Sequence, residues 1–286
     1  MPRPALRLFK AARAMALRLL GPLEAMKRLA AGRGNLPPLW LRRHTGPVRV
    51  FERAATEMTT LIEQLGVVAP DDVVLDAGCG AGAMVATFAR LLGPRGRYVG
   101  FDIHEPSLRW CRRRFRADPR LRFEFSGRAG AVRFPAASGE AGFVLAKSLF
   151  THLQEKEARH FLSEIRRVLR PGAVAVVTLF LFEPGEGEAR AAEFFPFASP
   201  DGSARWRWKA QPESAIAFER SRFHGMIAEA GLRFEWQSRV FWPGAPVLRG
   251  QDVLLLSHAA PRRARVVPRD TLRSTKPHAA AAPNEP

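Results

Sequence analysis

The chain has 286 residues, of which 47% are hydrophobic, and a formal net charge of +18 at pH 7. This length is sufficient for one α/β domain with a sizeable core. No apolar run reaches the roughly 20 residues that a membrane-spanning helix needs. The two cysteines, Cys79 and Cys111, are too few for a disulfide framework, and their spacing matches no metal site. We therefore expect a globular, cytoplasmic protein without a bound metal.

The positive charge is concentrated at the two ends of the chain. Residues 1–50 contain 11 basic residues and 1 acidic residue, and residues 261–286 contain 6 basic and 2 acidic. The middle, 51–260, has a net charge of only +4. Arginine also outnumbers lysine 39 to 6, a ratio that codon bias in a GC-rich genome produces. The charge alone therefore does not predict nucleic-acid binding.

The first predicted element is a helix over residues 4–20, ended by Gly21-Pro22. Its basic residues fall on one side and its apolar residues on the other. Three interpretations stay open: a helix packed on the domain or frayed, a helix lying on an anionic membrane surface, and a targeting segment.

From residue 56 onward, apolar runs alternate with helical patterns. The predicted strands are residues 73–75, 97–101, 121–125, 142–146 and 173–180. The predicted helices are residues 57–65, 82–92, 105–117 and 152–169. This alternation predicts an α/β fold with a parallel sheet and helices on both faces.

The alternation stops after Phe182. Residues 183–212 are rich in Gly, Pro and aromatic residues, and we interpret them as an insertion that closes over a site. A helix over 213–230 and two antiparallel strands, 232–240 and 252–257, are predicted next. We therefore divide the chain into a basic extension (1–50), one domain (51–260) and a disordered tail (261–286).

The loop Gly78-Cys79-Gly80-Ala81-Gly82 lies between a predicted strand and a predicted helix. Its glycines allow a tight turn and a close approach to a ligand, but they suit both NAD and S-adenosylmethionine. Asp76, at the end of the strand, favours a ligand with an ammonium group and opposes a pyrophosphate. Asp102, which ends the next strand, is placed to accept hydrogen bonds from ribose hydroxyls. Asp76 therefore favours S-adenosylmethionine over NAD.

Four segments of the chain resemble the successive motifs of class I S-adenosylmethionine-dependent methyltransferases. They are residues 74–82, 98–103, 148–153 and 164–172. Trp110-Cys111 and Gln251-Asp252-Val253 resemble a bacterial branch that modifies glycans and small molecules. The resemblance covers about residues 48–258. It implies a doubly wound Rossmann-like sheet of order 3-2-1-4-5-7-6 with strand 7 antiparallel.

The resemblance also implies which residues bind S-adenosylmethionine. Gly78 and Gly80 would contact its methionine half through their backbone, within a loop that includes Ala77 and Cys79. Asp76 would meet the ammonium group, Asp102 the ribose, and Ile103 the adenine. The acidic residue that usually meets the adenine amino group is replaced by Ser126, which retains one hydrogen-bonding hydroxyl.

A second departure lies at the start of the fourth strand, where Ala141-Gly142 replaces the usual Phe-Asp. These two changes motivate an alternative in which the protein no longer catalyses and serves as a binding module.

His152 is the candidate catalytic residue. Thr151 and Gln154 match a capping box, which would make His152 the first helical residue at the mouth of the site. The positive end of a helix favours a neutral imidazole, the form that a general base requires. A structural histidine bonded to backbone is the other interpretation. His104, Lys147 and His224 are weaker candidates.

The expected acceptor is a small molecule, a glycan or a lipid, methylated on oxygen. The alternatives are an RNA methyltransferase that uses its basic ends as tethers and the non-catalytic binding module. NAD-dependent oxidoreduction is disfavoured by Asp76 and by the antiparallel final strand.

Overall fold

The computed structural model describes residues 19–34, 36–42, 48–127, 132–185, 191–239 and 251–258. The predictions for residues 4–18 and for the tail from residue 261 lie outside the described residues. Among the helices in these ranges, none combines the length and the apolar character needed to cross a bilayer.

The described residues form alternating helices and strands that agree with most of the predicted elements. The helices are α1 Gly21–Ala30, α2 Val48–Leu65, α3 Val85–Leu91, α4 Glu105–Arg114, α5 Glu155–Val168 and α6 Arg220–Glu229. The strands are β1 Val73–Ala77, β2 Arg97–Asp102, β3 Leu121–Phe125, β4 Ala141–Ala146, β5 Leu169–Phe182, β6 Phe197–Ala198, β7 Ala204–Trp206, β8 Ile216–Glu219, β9 Arg233–Arg239 and β10 Asp252–Ser257.

The large sheet has the order β3-β2-β1-β4-β5, continued by β10 and β9. Strands β1 to β5 are parallel, and β10 lies antiparallel between β5 and β9. With β9 and β10 counted as the sixth and seventh strands, the predicted order 3-2-1-4-5-7-6 with an antiparallel seventh strand is confirmed.

Side-chain alternation along the parallel strands creates one apolar core on each face of the sheet. Val74, Tyr98 and Leu145 point to the face that α2, α3 and α4 cover. Leu75 and Phe101 point to the opposite face, which α5 and α6 cover. The prediction of helices on both faces is therefore confirmed.

The segment Gly21-Pro22 begins the helix α1, directly after a turn at Leu20. Proline lies in the first turn of α1, where its missing N–H removes no helical hydrogen bond. The inner side of α1 is fixed by an ion pair of 2.7 Å between Glu24 and the guanidinium of the buried Arg42.

Strand β5 extends past the residues that pair with β10, and its last three residues join a small sheet. Phe180–Phe182 pair with β8 in parallel, and β7 and β6 follow antiparallel. The predicted helix over 213–230 is therefore wrong in its first half, because Ile216 and Phe218 are buried in this sheet and α6 begins only at Arg220.

The glycine that opens β4 makes room for a buried carboxylate. A Cβ at Gly142 would lie 2.2 Å from Oδ1 of Asp72. Asp72 is only 2% exposed, accepts a hydrogen bond from the Ala69 N–H and pairs with the Arg170 guanidinium at 2.5 Å. The carboxylate at the start of β4 therefore comes from Asp72, which directly precedes β1, and not from β4 itself.

Candidate functional site

The glycine loop leaves β1 and is tied by backbone hydrogen bonds to the end of β2. The N–H groups of Gly78 and Cys79 donate to the Phe101 carbonyl at 2.9 and 3.2 Å. Gly80 has a φ of +52°, and a Cβ there would meet no atom within 4 Å. The backbone at Gly80 therefore faces open space, where a ligand can approach it closely.

Asp102 joins this loop to the carboxyl end of β2. One carboxylate oxygen accepts the Gly80 N–H at 2.9 Å, and the other accepts the His104 N–H at 2.7 Å. Because each carboxylate oxygen has two acceptor sites, both oxygens retain capacity for hydroxyl donors. Sequence reasoning placed Asp102 on a ligand but missed that it also fixes the loop.

Asp76 lies at the end of β1 and is 2% exposed. The Tyr98 hydroxyl donates to its Oδ2 at 2.7 Å. Burial raises the pKa of Asp76 to about 6, against the lowering effect of the Tyr98 hydrogen bond and of Lys147. A buried carboxylate with this bias toward its neutral form gains stability from a cationic ligand.

Sequence reasoning missed Tyr98, because its contact with Asp76 depends on the register between β1 and β2. Tyr98 is the only tyrosine of the chain, and it lies two residues before Gly100, the register partner of Asp76. Alternation along β2 therefore puts its ring on the face that carries the Asp76 side chain.

Ile103 and Ser126 lie near Asp102 at the same edge of the sheet. Ile103 is 59% exposed, whereas the apolar residues of β2 before it are buried. The Ser126 N–H donates to the Asp102 carbonyl at 3.1 Å. An exposed apolar side chain beside a serine forms a surface that suits a planar ring with polar edges.

The two cysteines lie under the loop as free, buried thiols. Burial raises the pKa of Cys79 well above its ordinary value and that of Cys111 to about 12. Since the thiolate is the nucleophile, neither side chain is reactive near neutral pH. Cys79 is therefore a small residue of the loop and not a nucleophile.

The predicted capping box at the start of α5 is wrong. Gln154 is the N-cap, and it forms the reciprocal bonds with Glu157. Thr151 instead donates from Oγ1 to the Ser148 carbonyl at 2.7 Å. The helix therefore begins after Gln154, and His152 is not its first residue, so the argument from the positive helix end does not apply.

His152 lies exposed in a 3-10 turn, Phe150–His152, after β4. Its Nδ1 is 3.0 Å from the carbonyl oxygen of Glu213, in the segment that leads into β8. Because a carbonyl only accepts, this contact places a proton on Nδ1 and leaves the lone pair of a neutral ring on Nε2.

The arrangement brings together a buried acid, an open glycine loop and a second acid at neighbouring strand ends. These groups complement a ligand that has an ammonium group, a flexible chain that lies against the Gly80 backbone, and a ribose. The residues present therefore fit S-adenosylmethionine. Within the described ranges, no cluster of three or more His, Cys, Asp or Glu side chains is placed to hold a metal ion.

Comparison with known proteins matches part of the chain to methyltransferases. Residues 74–172 match the methyltransferase domain family. An O-methyltransferase of Pyrenophora dematioidea is 24% identical over 190 residues, which are 65% of this chain and 64% of that protein. The mRNA cap guanine-N(7) methyltransferase 1 of Arabidopsis thaliana is 33% identical over 127 residues, which are 38% of this chain and 33% of that protein. The chain thus spans less than two thirds of these curated relatives.

A solved structure gives the same result for the fold. A crystal structure of a S-adenosylmethionine-dependent methyltransferase from Methanosarcina mazei superposes with a TM-score of 0.53 at 16% identity. The match covers 68% of this chain and 96% of that one. The family match is limited to residues 74–172, and the likeness to this structure shows that the chain shares its fold.

Proposed function

We propose that the protein transfers a methyl group from S-adenosylmethionine to an oxygen atom of a small-molecule, glycan or lipid acceptor. The observation that carries this proposal is the buried Asp76 carboxylate beside the open backbone of Gly80. S-adenosylmethionine supplies a methyl group activated by a sulfonium. The role of the chain is to hold donor and acceptor in line, which can supply roughly 7 to 11 kcal/mol of the barrier at best.

The acceptor, in this proposal, binds between the start of α5 and the small sheet. A cleft of about 400 Å³ lies there. Its lining combines hydrogen-bonding groups with an apolar floor: Gln154, Ser199, Asp201, Ser203, Trp206 and Phe218. Such a mixture suits an acceptor that has hydroxyl groups and an apolar or ring-shaped body.

His152 is the proposed general base. It lies two residues before Gln154, which lines this cleft. The bond from Nδ1 to the Glu213 carbonyl orients the ring, and Nε2 is then available for the proton that the acceptor hydroxyl releases.

The proposal is tested first by calorimetric titration of the purified chain with S-adenosylmethionine, and then by incubating lysate of the producing organism with labelled donor. We expect binding and label in a small-molecule, glycan or lipid fraction. Absence of binding contradicts the proposal. Label in RNA, lost steeply as salt is raised, favours an RNA methyltransferase instead, and binding without any transfer favours a binding module.

The role of His152 is tested on the acceptor so identified. We expect His152→Asn to lower kcat by about 100-fold. His160→Asn is the matched control, because the His160 ring is also bonded to a backbone carbonyl, that of Val132 at 2.8 Å.

We also propose that the outer face of α1 contacts an anionic membrane surface. The large apolar side chains of this face and of the two residues before α1 are 53 to 73% exposed: Leu19, Leu20, Leu23, Met26 and Leu29. The first 20 residues contain five basic and no acidic residues. An apolar helix face joined to positive charge is typical of interfacial helices.

Sedimentation with vesicles containing anionic phospholipid tests this contact. We expect the full chain to sediment and a Leu23→Gln, Met26→Gln variant to stay in solution. Trp208→Gln, at an equally exposed side chain elsewhere, should still sediment. Equal binding of all three proteins would contradict the contact.

A further inference from the structure

Lys147 follows the last residue of β4 and lies on the same face of the sheet as Asp76. In the register of β1 and β4, Asp76 is paired with Leu145, and Lys147 comes two residues later. Alternation therefore directs its side chain toward the face that α2 covers. The acidic groups whose field reaches its ammonium are Asp76 and Glu57 of α2.

The ammonium of Lys147 has little compensation within the protein. The side chain is half-buried, and the described residues give it neither a hydrogen bond nor an ion pair within 4.0 Å. The acidic group on α2 is shared, because Glu57 already pairs with Arg53 at 2.7 Å. Burial lowers the pKa of Lys147, while Asp76 and Glu57 raise it.

Two opposite charges thus lie near each other at the methionine end of the proposed cofactor site, each disfavoured by burial. An α-amino acid presents an ammonium and a carboxylate on one carbon atom. A zwitterion placed here gives Asp76 a cation and Lys147 an anion, so it relieves both burial penalties together.

We propose that Lys147 binds the carboxylate of the methionine half of the cofactor, while Asp76 binds its ammonium. This inference rests on the proposed function and adds a specificity-determining residue to the same site. The pair then selects ligands with an intact amino acid end, because a ligand without the carboxylate leaves the Lys147 charge unmatched.

Calorimetric titration with S-adenosylmethionine and with decarboxylated S-adenosylmethionine tests the inference without measuring activity. We expect the wild-type protein to prefer the intact ligand by at least 10-fold. Lys147→Met should weaken the intact ligand by about 10-fold or more and leave the decarboxylated ligand nearly unchanged. Lys147→Arg should retain part of the preference.

Arg90→Met is the matched control, since it removes an exposed cation from α3, on the same side of the sheet, and should leave the preference unchanged. If Lys147→Met weakens both ligands equally, or neither, the inference is overturned while the proposed function stands. If the wild-type protein binds neither ligand nor S-adenosylhomocysteine, both are overturned.

Discussion

The edge where β1 and β2 end and the small sheet of β6 to β8 are held by different kinds of bonds. At the edge, backbone N–H groups of Gly78, Cys79 and Gly80 bond to the neighbouring strand end. In the small sheet, the buried Arg205 guanidinium donates to the carbonyls of Phe195 and Pro196. The edge is fixed by chain geometry and one carboxylate, whereas the small sheet adds bonds from a replaceable side chain to its backbone pairing. Changes in the small sheet should therefore alter the acceptor and not the cofactor loop.

The largest effect is expected for Asp76→Asn, which keeps the Tyr98 hydrogen bond but removes the charge. Breaking a buried charge pair costs about 3 to 5 kcal/mol, so we expect the affinity for S-adenosylhomocysteine to fall at least 100-fold in calorimetry. Asp71→Asn, at an exposed carboxylate paired with Arg95, is the control and should bind normally. Unchanged affinity in Asp76→Asn would show that the ammonium is bound elsewhere.

The same substitution should stabilise the ligand-free protein. The folded pKa of Asp76 is about 6, above the value of about 3.9 in an unfolded chain. The stability from its bound proton is complete below pH 4 and is lost as pH rises through 6. At pH 7 the shift corresponds to about 3 kcal/mol. We expect urea denaturation to show Asp76→Asn more stable than wild type at pH 7 and not at pH 4; a constant difference would contradict this.

Gly142→Ala tests the packing of β4, in the large sheet that supports both regions. The added Cβ would overlap the buried Asp72 carboxylate, and overpacking of this kind costs about 1 to 3 kcal/mol. We expect a loss near 2 kcal/mol in urea denaturation. Gly225→Ala in α6 is the matched control, because its Cβ meets no atom within 4 Å. It should be neutral or stabilising.

Arg205→Met should have the smallest effect and the most local one. Loss of its bonds to the Phe195 and Pro196 carbonyls costs about 1 kcal/mol each at most. We expect faster limited proteolysis between β5 and β8, with an unchanged affinity for S-adenosylhomocysteine. Arg207→Met, at an exposed position two residues later, should change neither. A weakened cofactor affinity in Arg205→Met would show that the two regions are coupled.

The sequence predicts the edge better than the small sheet, for physical reasons. The edge has glycines at a strand end and acids at fixed distances from them, and this pattern is typical of one loop conformation. The resemblance then predicts the order of the strands in the sheet. The apolar run at Ile216 and Phe218 is short enough for either a helix or a strand. The run forms a strand because it pairs with the end of β5, Phe180–Phe182, and no local sequence pattern predicts this pairing.

The start of α5 shows the same limit. Both Thr151 with Gln154 and Gln154 with Glu157 have the spacing of a capping box. The second one forms, because Thr151 is engaged with the Ser148 carbonyl instead. The Tyr98 bond to Asp76 and the double role of Asp102 likewise depend on pairing between strands, which spacing along the chain does not reveal.

The two thiols beneath the glycine loop make the frequency of its opening measurable. The Sγ atoms of Cys79 and Cys111 each lie 3.8 Å from the Gly80 carbonyl oxygen, and the chain has no other cysteine. A thiol reagent reaches them only when the loop opens locally. The labelling rate of the unmodified protein therefore measures how often the loop opens. A molecule bound across Gly80 should lower this rate in proportion to its occupancy.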